Sequence, residues 1–567
     1  MRWSWLSISI FALVSVWVAF FVERFGFNPT DQGFVLAQSW RVLQGEIPHR
    51  DFISARPLGS AFFHVVDIVL PGPSYPASVM IATLQMMAAT VWLALLTLRV
   101  KLDSLRFCGS VGVVVAALVN IHLFPMNAWH TIDGIFFVAL GWWALDRGAR
   151  GSSTWLFRLG LLALGAATTT KQSFAPALVA GLIFLLIEHR RGRRDRLLLD
   201  LAILAACPAL YAIVVGAANG GAQALDQLTG GAGTVGDRLL SAESAEGFGI
   251  YLVVFLVACA VAAWTSTHES VWATIMGRCG AAASLMCVLA VVVRGGLSRA
   301  GDWGIVLLWM LVLAIAFEFL KSAILGRARV QWRLLALPFL AWMSSLSWGY
   351  DSPTLLGGSM ALSIAAIVVS FVSGDSVNAG GSRLVGVAAS VVGVLLAGSF
   401  LVAKQSVDAY RDQPRELLTA SLGSVTAEMR GIRTTPATVA YLADIDRCVR
   451  TYPARKVAVL PDNAVVYPAL NLTNPFPIDW MLPMELVADT RDRILDTATE
   501  MDSMGSYLVL FAGVTPEQLA GGDGARGIDA GAVGPQDPTG LLGAIDSALN
   551  GSRITCGTFT GIWKEGV

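Results

Sequence analysis

The residues able to do chemistry gather in a few short stretches. Asn28-Pro29-Thr30-Asp31-Gln32-Gly33 sets a carboxylate, Asp31, just before an apolar-periodic run from Phe34 to Gln44 that Gly45 closes. Two roles fit Asp31. An acidic residue before such a run caps a helix start, and a carboxylate held at a surface takes a proton from a hydroxyl as general base. The roles are not exclusive. Glu46-Ile47-Pro48-His49-Arg50-Asp51-Phe52 and Arg56-Pro57-Leu58-Gly59 follow, with four ionisable groups (His49, Arg50, Asp51, Arg56) in eight residues. They make either a solvated connector with local ion pairs or a substrate-binding loop. After Pro57 an apolar helix carrying His64 and Asp67 is expected.

Lys171, in Thr168-Thr169-Thr170-Lys171-Gln172-Ser173, lies between two apolar runs with almost no loop, and lysine is scarce, six in 567 residues. Such a lysine either snorkels to an interface or pairs with a phosphate. Asn127-Ala128-Trp129-His130-Thr131-Ile132-Asp133 occupies another short turn. Arg294, Arg299 and Asp302 flank a third, and Trp348-Gly349-Tyr350-Asp351-Ser352-Pro353 forms a fourth. Aromatic belts, snorkelling and tight turns account for each stretch alone. Taken together they give a candidate set. Asp31 and Asp51 are the catalytic candidates. Lys171, Arg294 and Arg299 would bind a phosphate. His49, Arg56, His130 and Asp351 would bind substrate. No metal-ligand set is assigned. No cofactor follows with certainty, and a divalent metal stays open.

The elements that must position these groups belong to a membrane chain. Apolar residues make up 55% of the sequence and charged residues 14%, where ordinary globular chains carry about 25% charged. Mean hydropathy is +0.64. This excludes a soluble enzyme, a disordered chain and a disulfide-stapled secreted module. Forty basic and forty acidic residues cancel, so no global field attracts nucleic acid. Usage rich in Arg, Ala, Gly and Trp suggests a high-GC bacterial genome.

Apolar runs near 4–22, 76–98, 107–123, 131–145, 155–170, 174–188, 197–218, 250–266, 274–293, 303–320, 333–349, 354–372 and 384–402 read as transmembrane helices, about thirteen. The first reads as an uncleaved anchor, since no small-x-small cleavage site follows it. Alternate loops are rich in basic residues, among them Arg147, Arg150, Arg190, Arg191, Arg196, Lys321 and Arg333. By the positive-inside rule they are cytoplasmic. The amino terminus is then inside, and the segment after residue 402 is outside. From Lys404 onward there are 14 basic and 20 acidic residues, a shift that marks a domain boundary.

The expected fold class is an all-α polytopic membrane domain, residues 1–402, with a C-terminal extracytoplasmic α/β domain, residues 403–567. Outer loop 23–75 carries the proposed site, and a Gly-rich outer loop spans 219–249. In the C-terminal domain Lys456–Leu460, Ser506–Ala512 and Arg553–Trp563 read as strands, and Glu485–Thr499 and Leu541–Leu549 as amphipathic helices. That domain holds no histidine, which argues against a metal or Ser-His site in it. Cys448 and Cys556 fall there, and an oxidising compartment would allow them to pair.

This layout resembles the C-type membrane glycosyltransferases (GT-C), which include protein O-mannosyltransferases, aminoarabinose transferases and arabinosyltransferases. The resemblance rests on Asp31-Gln32-Gly33 through Trp40-Arg41-Val42-Leu43-Gln44-Gly45, on Arg50-Asp51-Phe52 and Pro57-Leu58-Gly59, on Lys171-Gln172, and on the soluble domain after the last span. It implies an acidic residue after the first span, in a long outer loop with helices parallel to the membrane. It also implies a basic residue at the Lys171 position that holds a lipid phosphate. Where the family often has a second acid this chain has Gln32, so the usual acidic pair is incomplete; Asp51 is the candidate replacement.

A site at the outer interface suits a substrate that is half lipid and half polar. The expected reaction moves a sugar from a polyprenyl-phosphate donor to an acceptor hydroxyl on a glycan, lipid or protein, in cell-envelope glycan assembly at the bacterial plasma membrane. Asp31 acts as base and Lys171, with Arg294 or Arg299, stabilises the leaving phosphate. No phosphate-binding Gly-rich loop in a strand–helix context and no ATPase motif is present. Two rivals stand beside this reading. A lipid-linked glycan flippase would carry charges along a path through the bilayer centre, and a glycan polymerase or ligase would carry its large outer loop late in the chain.

Overall fold

In lipid, backbone polar groups must be satisfied within the segment, so long apolar runs fold as helices. The computed structural model describes residues 3–99, 107–122, 126–151, 153–192, 196–230, 247–297, 302–326, 331–346, 352–373, 383–406, 412–512, 537 and 539–566. The expected runs all appear as helices: α1 (Trp3–Phe21), α5 (Ser74–Leu98), α6 (Phe107–Ile121), α7 (His130–Arg150), α8 (Thr154–Thr170), α9 (Ala175–Arg190), α10 (Leu197–Ala217), α12 (Gly249–Thr265), α13 (Val271–Val291), α14 (Trp303–Ile324), α15 (Trp332–Ser345), α16 (Gly357–Ser373) and α17 (Arg383–Ser406). Among the described residues six segments are long and apolar enough to cross a membrane: Ser74–Leu98, Gln172–Arg190, Leu197–Ala217, Val271–Leu297, Trp303–Ile324 and Thr354–Val372. Ile8–Phe21, Gly109–Ile121, Gly249–Thr265 and Val391–Lys404 are shorter apolar stretches, and α7 carries charge at Asp133, Asp146, Arg147 and Arg150.

The first loop holds α2 (Phe34–Leu43), then α3 (Gly59–Phe63) and α4 (Val65–Val69). One continuous helix was expected after Pro57. Instead the chain breaks at His64, whose side chain is wholly buried. Loop 219–249 contains α11 (Gly221–Thr229), and residues 231–246 lie outside the described set.

The C-terminal domain centres on a four-stranded sheet, order β3-β4-β6-β5, from β3 (Lys456–Leu460), β4 (Tyr507–Ala512), β5 (Ser552–Cys556) and β6 (Phe559–Lys564). β3 and β4 are parallel; β6 runs antiparallel to both neighbours. Arg553–Trp563, expected as one strand, is a hairpin turning at Gly557-Thr558. Glu485–Thr499 is displaced: the helix is α20 (Thr490–Met504), after a short 3-10 turn Pro483–Glu485. α18 (Pro436–Thr451) and a two-stranded ladder, β1 (Ala420–Ser421) with β2 (Arg433–Thr434), were not anticipated. Successive strand residues face opposite sides of a sheet, and here the two faces differ in what covers them. Val457, Val459, Leu508 and Leu510 pack with α18 and with Phe34, Val35 and Leu36 of α2. Ala458, Leu460, Val509 and Phe511 pack with α20 and the helix Leu541–Ala548. Cys448 and Cys556 form a disulfide with Cα atoms 5.9 Å apart, joining α18 to β5.

Candidate functional site

The first loop is moulded onto the C-terminal domain. Arg41 of α2 is buried, its Nε 2.9 Å from Asp479 and its Nη1 2.7 Å from Glu46. Its Nη2 donates to the Phe476 carbonyl at 2.6 Å. Trp40 Nε1 donates to the Leu472 carbonyl, and Tyr75 Oη to that of Val465. A Cβ on Gly33 would sit 2.2 Å from Val465 Cα, so only glycine permits this approach.

Gly33, which has no side chain to cap with, occupies the N-cap position of α2. The N-cap position expected for Asp31 thus falls to Gly33. Asp31 sits in the preceding turn, buried, its N–H donating to Asn28 Oδ1 at 3.2 Å. The Asn28 N–H donates to Gln32 Oε1 at 2.7 Å, so Gln32, in the place of a second acid, serves the turn. Thr30 Oγ1 reaches Asp462 of the C-terminal domain at 3.3 Å.

The loop also closes on the α8–α9 junction. Gln172 donates to the carbonyls of Ala55 and Leu228, and a Cβ on Gly59 would meet the Thr169 carbonyl oxygen at 2.5 Å. These contacts bring Arg56 beside Lys171. Phe34 is the hub: its ring lies 5.9 Å from His130, 4.5 Å from Trp480 and 6.5 Å from Trp129, and the Arg56 guanidinium stands 5.8 Å from it. Arg56 pairs with Glu485 of the C-terminal domain at 2.6 Å. Arg56, Lys171 and His64 all lie within electrostatic reach of His130. Among the described residues neither His130 ring nitrogen nor Lys171 Nζ has a hydrogen-bond partner, though all three atoms are buried. Burial and then the Arg56 charge pull the Lys171 ammonium down from its usual 10.5 to about 7. Arg56 is the neighbouring charge that acts on Lys171.

Beside this cluster His64 is clasped by two carboxylates, Nδ1 2.7 Å from Asp67 and Nε2 3.1 Å from Asp133. Gln85 also donates to Asp133 at 2.7 Å. Two acceptors on the two ring nitrogens require two N–H groups, hence an imidazolium. Burial alone would lower this group, but the Asp133 and Asp67 charges and hydrogen bonds lift it to about 10. The triad bolts α3 and α4 to α5 and α7.

Other candidates lie elsewhere. His49 bridges Gln227 (2.8 Å) and Tyr211 (2.6 Å), fastening the loop to α11 and α10. Asp51 pairs with Arg50 at 2.7 Å and accepts from the Ile47 N–H; the Arg50 hydrogen bond holds its carboxyl below the usual range. The structure does not join Asp51 to Asp31. Arg294 lies 5.4 Å from the Phe248 ring and 5.9 Å from the Tyr251 ring. Arg299 and Asp351 lie outside the described residues. His122 is tied to the Val119 and Gly296 carbonyls. Glu23 forms a buried pair with Lys404 of α17 at 2.5 Å. Among the described residues no group of three or more His, Cys, Asp or Glu could hold a metal ion. Sequence reasoning missed Glu485, Phe34 and Trp480. Nothing local marks Glu485, which comes to Arg56 only through the docking of the C-terminal domain.

No family model matches the chain, and no curated protein does. Among solved structures it is similar to ArnT from Cupriavidus metallidurans in the apo state, at 12% identity over 99% of this chain and 97% of that one, with a TM-score of 0.38. A likeness of that degree leaves the functional reading to the residues themselves.

Proposed function

We propose that the chain is a membrane glycosyltransferase that moves a sugar from a polyprenyl-phosphate donor to an acceptor hydroxyl at the outer face of the membrane. The observation that carries this reading is the buried Lys171 ammonium, without a hydrogen-bond partner among the described residues, beside Arg56 and His130 at the ends of apolar helices. A buried cation without a partner is costly. A phosphate group supplies the missing acceptors and the opposite charge, and its position at helix ends leaves a lipid tail in the bilayer.

In this reading Lys171 and Arg56 bind the donor phosphate and stabilise the charge that grows on it as the glycosidic bond breaks. Asp31, a few residues before the Phe34 hub, takes the acceptor proton. Attack from the face opposite the phosphate inverts the anomeric centre. The outer placement is supported by the meeting of loop 23–75, the α8–α9 junction and the disulfide-bonded domain on one side of the helices, since structural disulfides belong to oxidising compartments. His49, Asp51 and Arg294 take supporting places by their contacts, with Asp51 holding the Arg50 turn.

The test uses purified protein in nanodiscs with polyprenyl-phosphate sugars, and reads release of free polyprenyl phosphate. The wild type should release it in an acceptor-dependent way, and Lys171→Met should bind donor at least tenfold more weakly. Donor binding that survives Lys171→Met unchanged overturns the assignment.

A further inference from the structure

The end of the bundle away from Lys171 carries a second gathering of cations. α7 starts at His130, within electrostatic reach of Lys171, and ends at Arg150. Its 21 residues span about 30 Å at 1.5 Å per residue, about the thickness of a bilayer's hydrocarbon core. Arg150 therefore stands at the far end of the bundle. Arg99, which closes α5, and Arg333, in the first turn of α15, join it there. Arg99 lies within electrostatic reach of both other arginines, and Arg150 within reach of Arg333. α5, α7 and α15 pack on one another and hold the three together. Like charges so placed repel, and the chain answers only part of that charge. Asp146 pairs with Arg150. Glu318 faces Arg333 but is itself held by Lys321 at 3.5 Å. Among the described residues no carboxylate forms an ion pair with Arg99 or Arg333, and Arg333 Nη1 is buried with no hydrogen-bond partner.

An apolar cavity of about 500 Å³ begins at Trp332, the neighbour of Arg333, and is lined also by Trp142 and Leu145 of α7, Phe184 of α9, and Leu335 and Phe339 of α15. It reaches one to two helical turns inward from the arginines, about 5–10 Å. Ring pairs form its walls: Phe339 stacks on Trp142 at 5.9 Å, and Phe184 meets Trp332 at 4.9 Å. Leu335 is 43% exposed, so the cavity is open toward the surrounding lipid.

We infer that Arg99, Arg150 and Arg333, with the cavity beside them, form a binding site for an anionic phospholipid, its phosphate on the guanidinium groups and an acyl chain among the rings. A phosphate supplies the acceptors and the opposite charge that the arginines lack, and guanidinium groups match its geometry. Basic pockets between membrane helices recognise such headgroups. The acyl chain fills an apolar slot that otherwise has no occupant from the chain. The lipid ties α7, α9 and α15 together, and α15 also packs on the turn Gln172–Phe174 that follows Lys171. Neither the site nor its test depends on the sugar-transfer reading.

The experiment titrates delipidated, full-length protein in detergent with phosphatidylglycerol and with phosphatidylcholine of the same chains, and reads lipid-bound species by native mass spectrometry. The wild type should bind its first phosphatidylglycerol at least about tenfold more tightly than phosphatidylcholine. R333Q should lose about fivefold of that preference, the weight of one arginine near an anionic headgroup, and R99Q/R150Q at least as much. Arg99 and Arg150 are exposed, so the double variant answers the charge question if R333Q does not fold. A180F fills the cavity from α9, since Ala180 lines it, and should weaken both lipids while the preference remains. R278Q, at an exposed arginine of α13, should match the wild type. Glycerol phosphate, which has no acyl chain to bury, should compete at least about a hundredfold more weakly than phosphatidylglycerol. Equal affinity for the two lipids in the wild type, an unchanged preference in the folded arginine variants, an equal loss in R278Q, or wild-type binding by A180F overturns the assignment. Glycerol phosphate competing as well as the lipid overturns it too, since the arginines would then be a simple anion site.

Discussion

Lys171→Met in ligand-free, detergent-washed protein should stabilise the molecule at neutral and lower pH while weakening donor binding at least tenfold. The ammonium falls from 10.5 to about 7 on folding, and each pH unit is worth about 1.4 kcal/mol. Keeping the charged lysine in the empty site therefore costs on the order of 5 kcal/mol, fully present below about 7 and gone above 10.5. His64 acts oppositely. Its folded value of about 10 lies above its usual 6.5. Its contribution to stability is complete below 6.5 and is lost as pH rises toward 10. Between about 7 and 10 the unfolded wild type holds the lysine proton and the folded protein holds the histidine proton. The proton counts match, so these two groups leave wild-type stability nearly flat with pH. Lys171→Met removes one of them. Its stability should start several kcal/mol higher at pH 6 and fall by about 1.4 kcal/mol per pH unit until the curves meet near pH 10. Thermal unfolding of both proteins at half-unit pH steps measures the difference. Parallel curves, or a methionine variant less stable at pH 6, would refute the picture of a buried ammonium without a partner.

Asp31→Asn should leave the melting temperature within a degree or two and cut sugar transfer by about 10²–10⁴-fold, the usual weight of a general base; near-normal turnover by the purified variant removes Asp31 from that role. His64→Gln leaves two facing buried carboxylates without their cation and should cost about 3–5 kcal/mol, read as a lowered unfolding midpoint, whereas a neutral result would mean the triad is not charged. Gly59→Ala drives a methyl into the Thr169 carbonyl and should weaken donor binding more than Arg50→Ala, which removes an exposed ion pair worth under about 1 kcal/mol. Equal binding by these two variants would show that the loop need not sit tightly on the α8–α9 junction.

What the sequence alone determined was the set of helices and the identity of the scarce lysine. Runs such as Leu197–Ala217 and Trp303–Ile324 fold as helices wherever they sit, since each satisfies its own backbone. A lysine between two such runs is conspicuous by type and position. The strand Lys456–Leu460 was equally legible because both its faces are covered, leaving a continuous apolar run. The break at His64 was not legible, since its cause is a pair of carboxylates, one of them in another helix. Nor was the fate of the acidic candidates: Asp31 and Asp51 look alike in sequence, yet one is buried before the Phe34 hub and the other is tied to an exposed arginine. The tertiary structure alone decided which charges meet. Ion pairs such as Arg41–Asp479 and Arg56–Glu485 join the first loop to the C-terminal domain across most of the chain. Charge pairing depends on distance and burial after packing, and neither quantity has a local signature in the order of the residues.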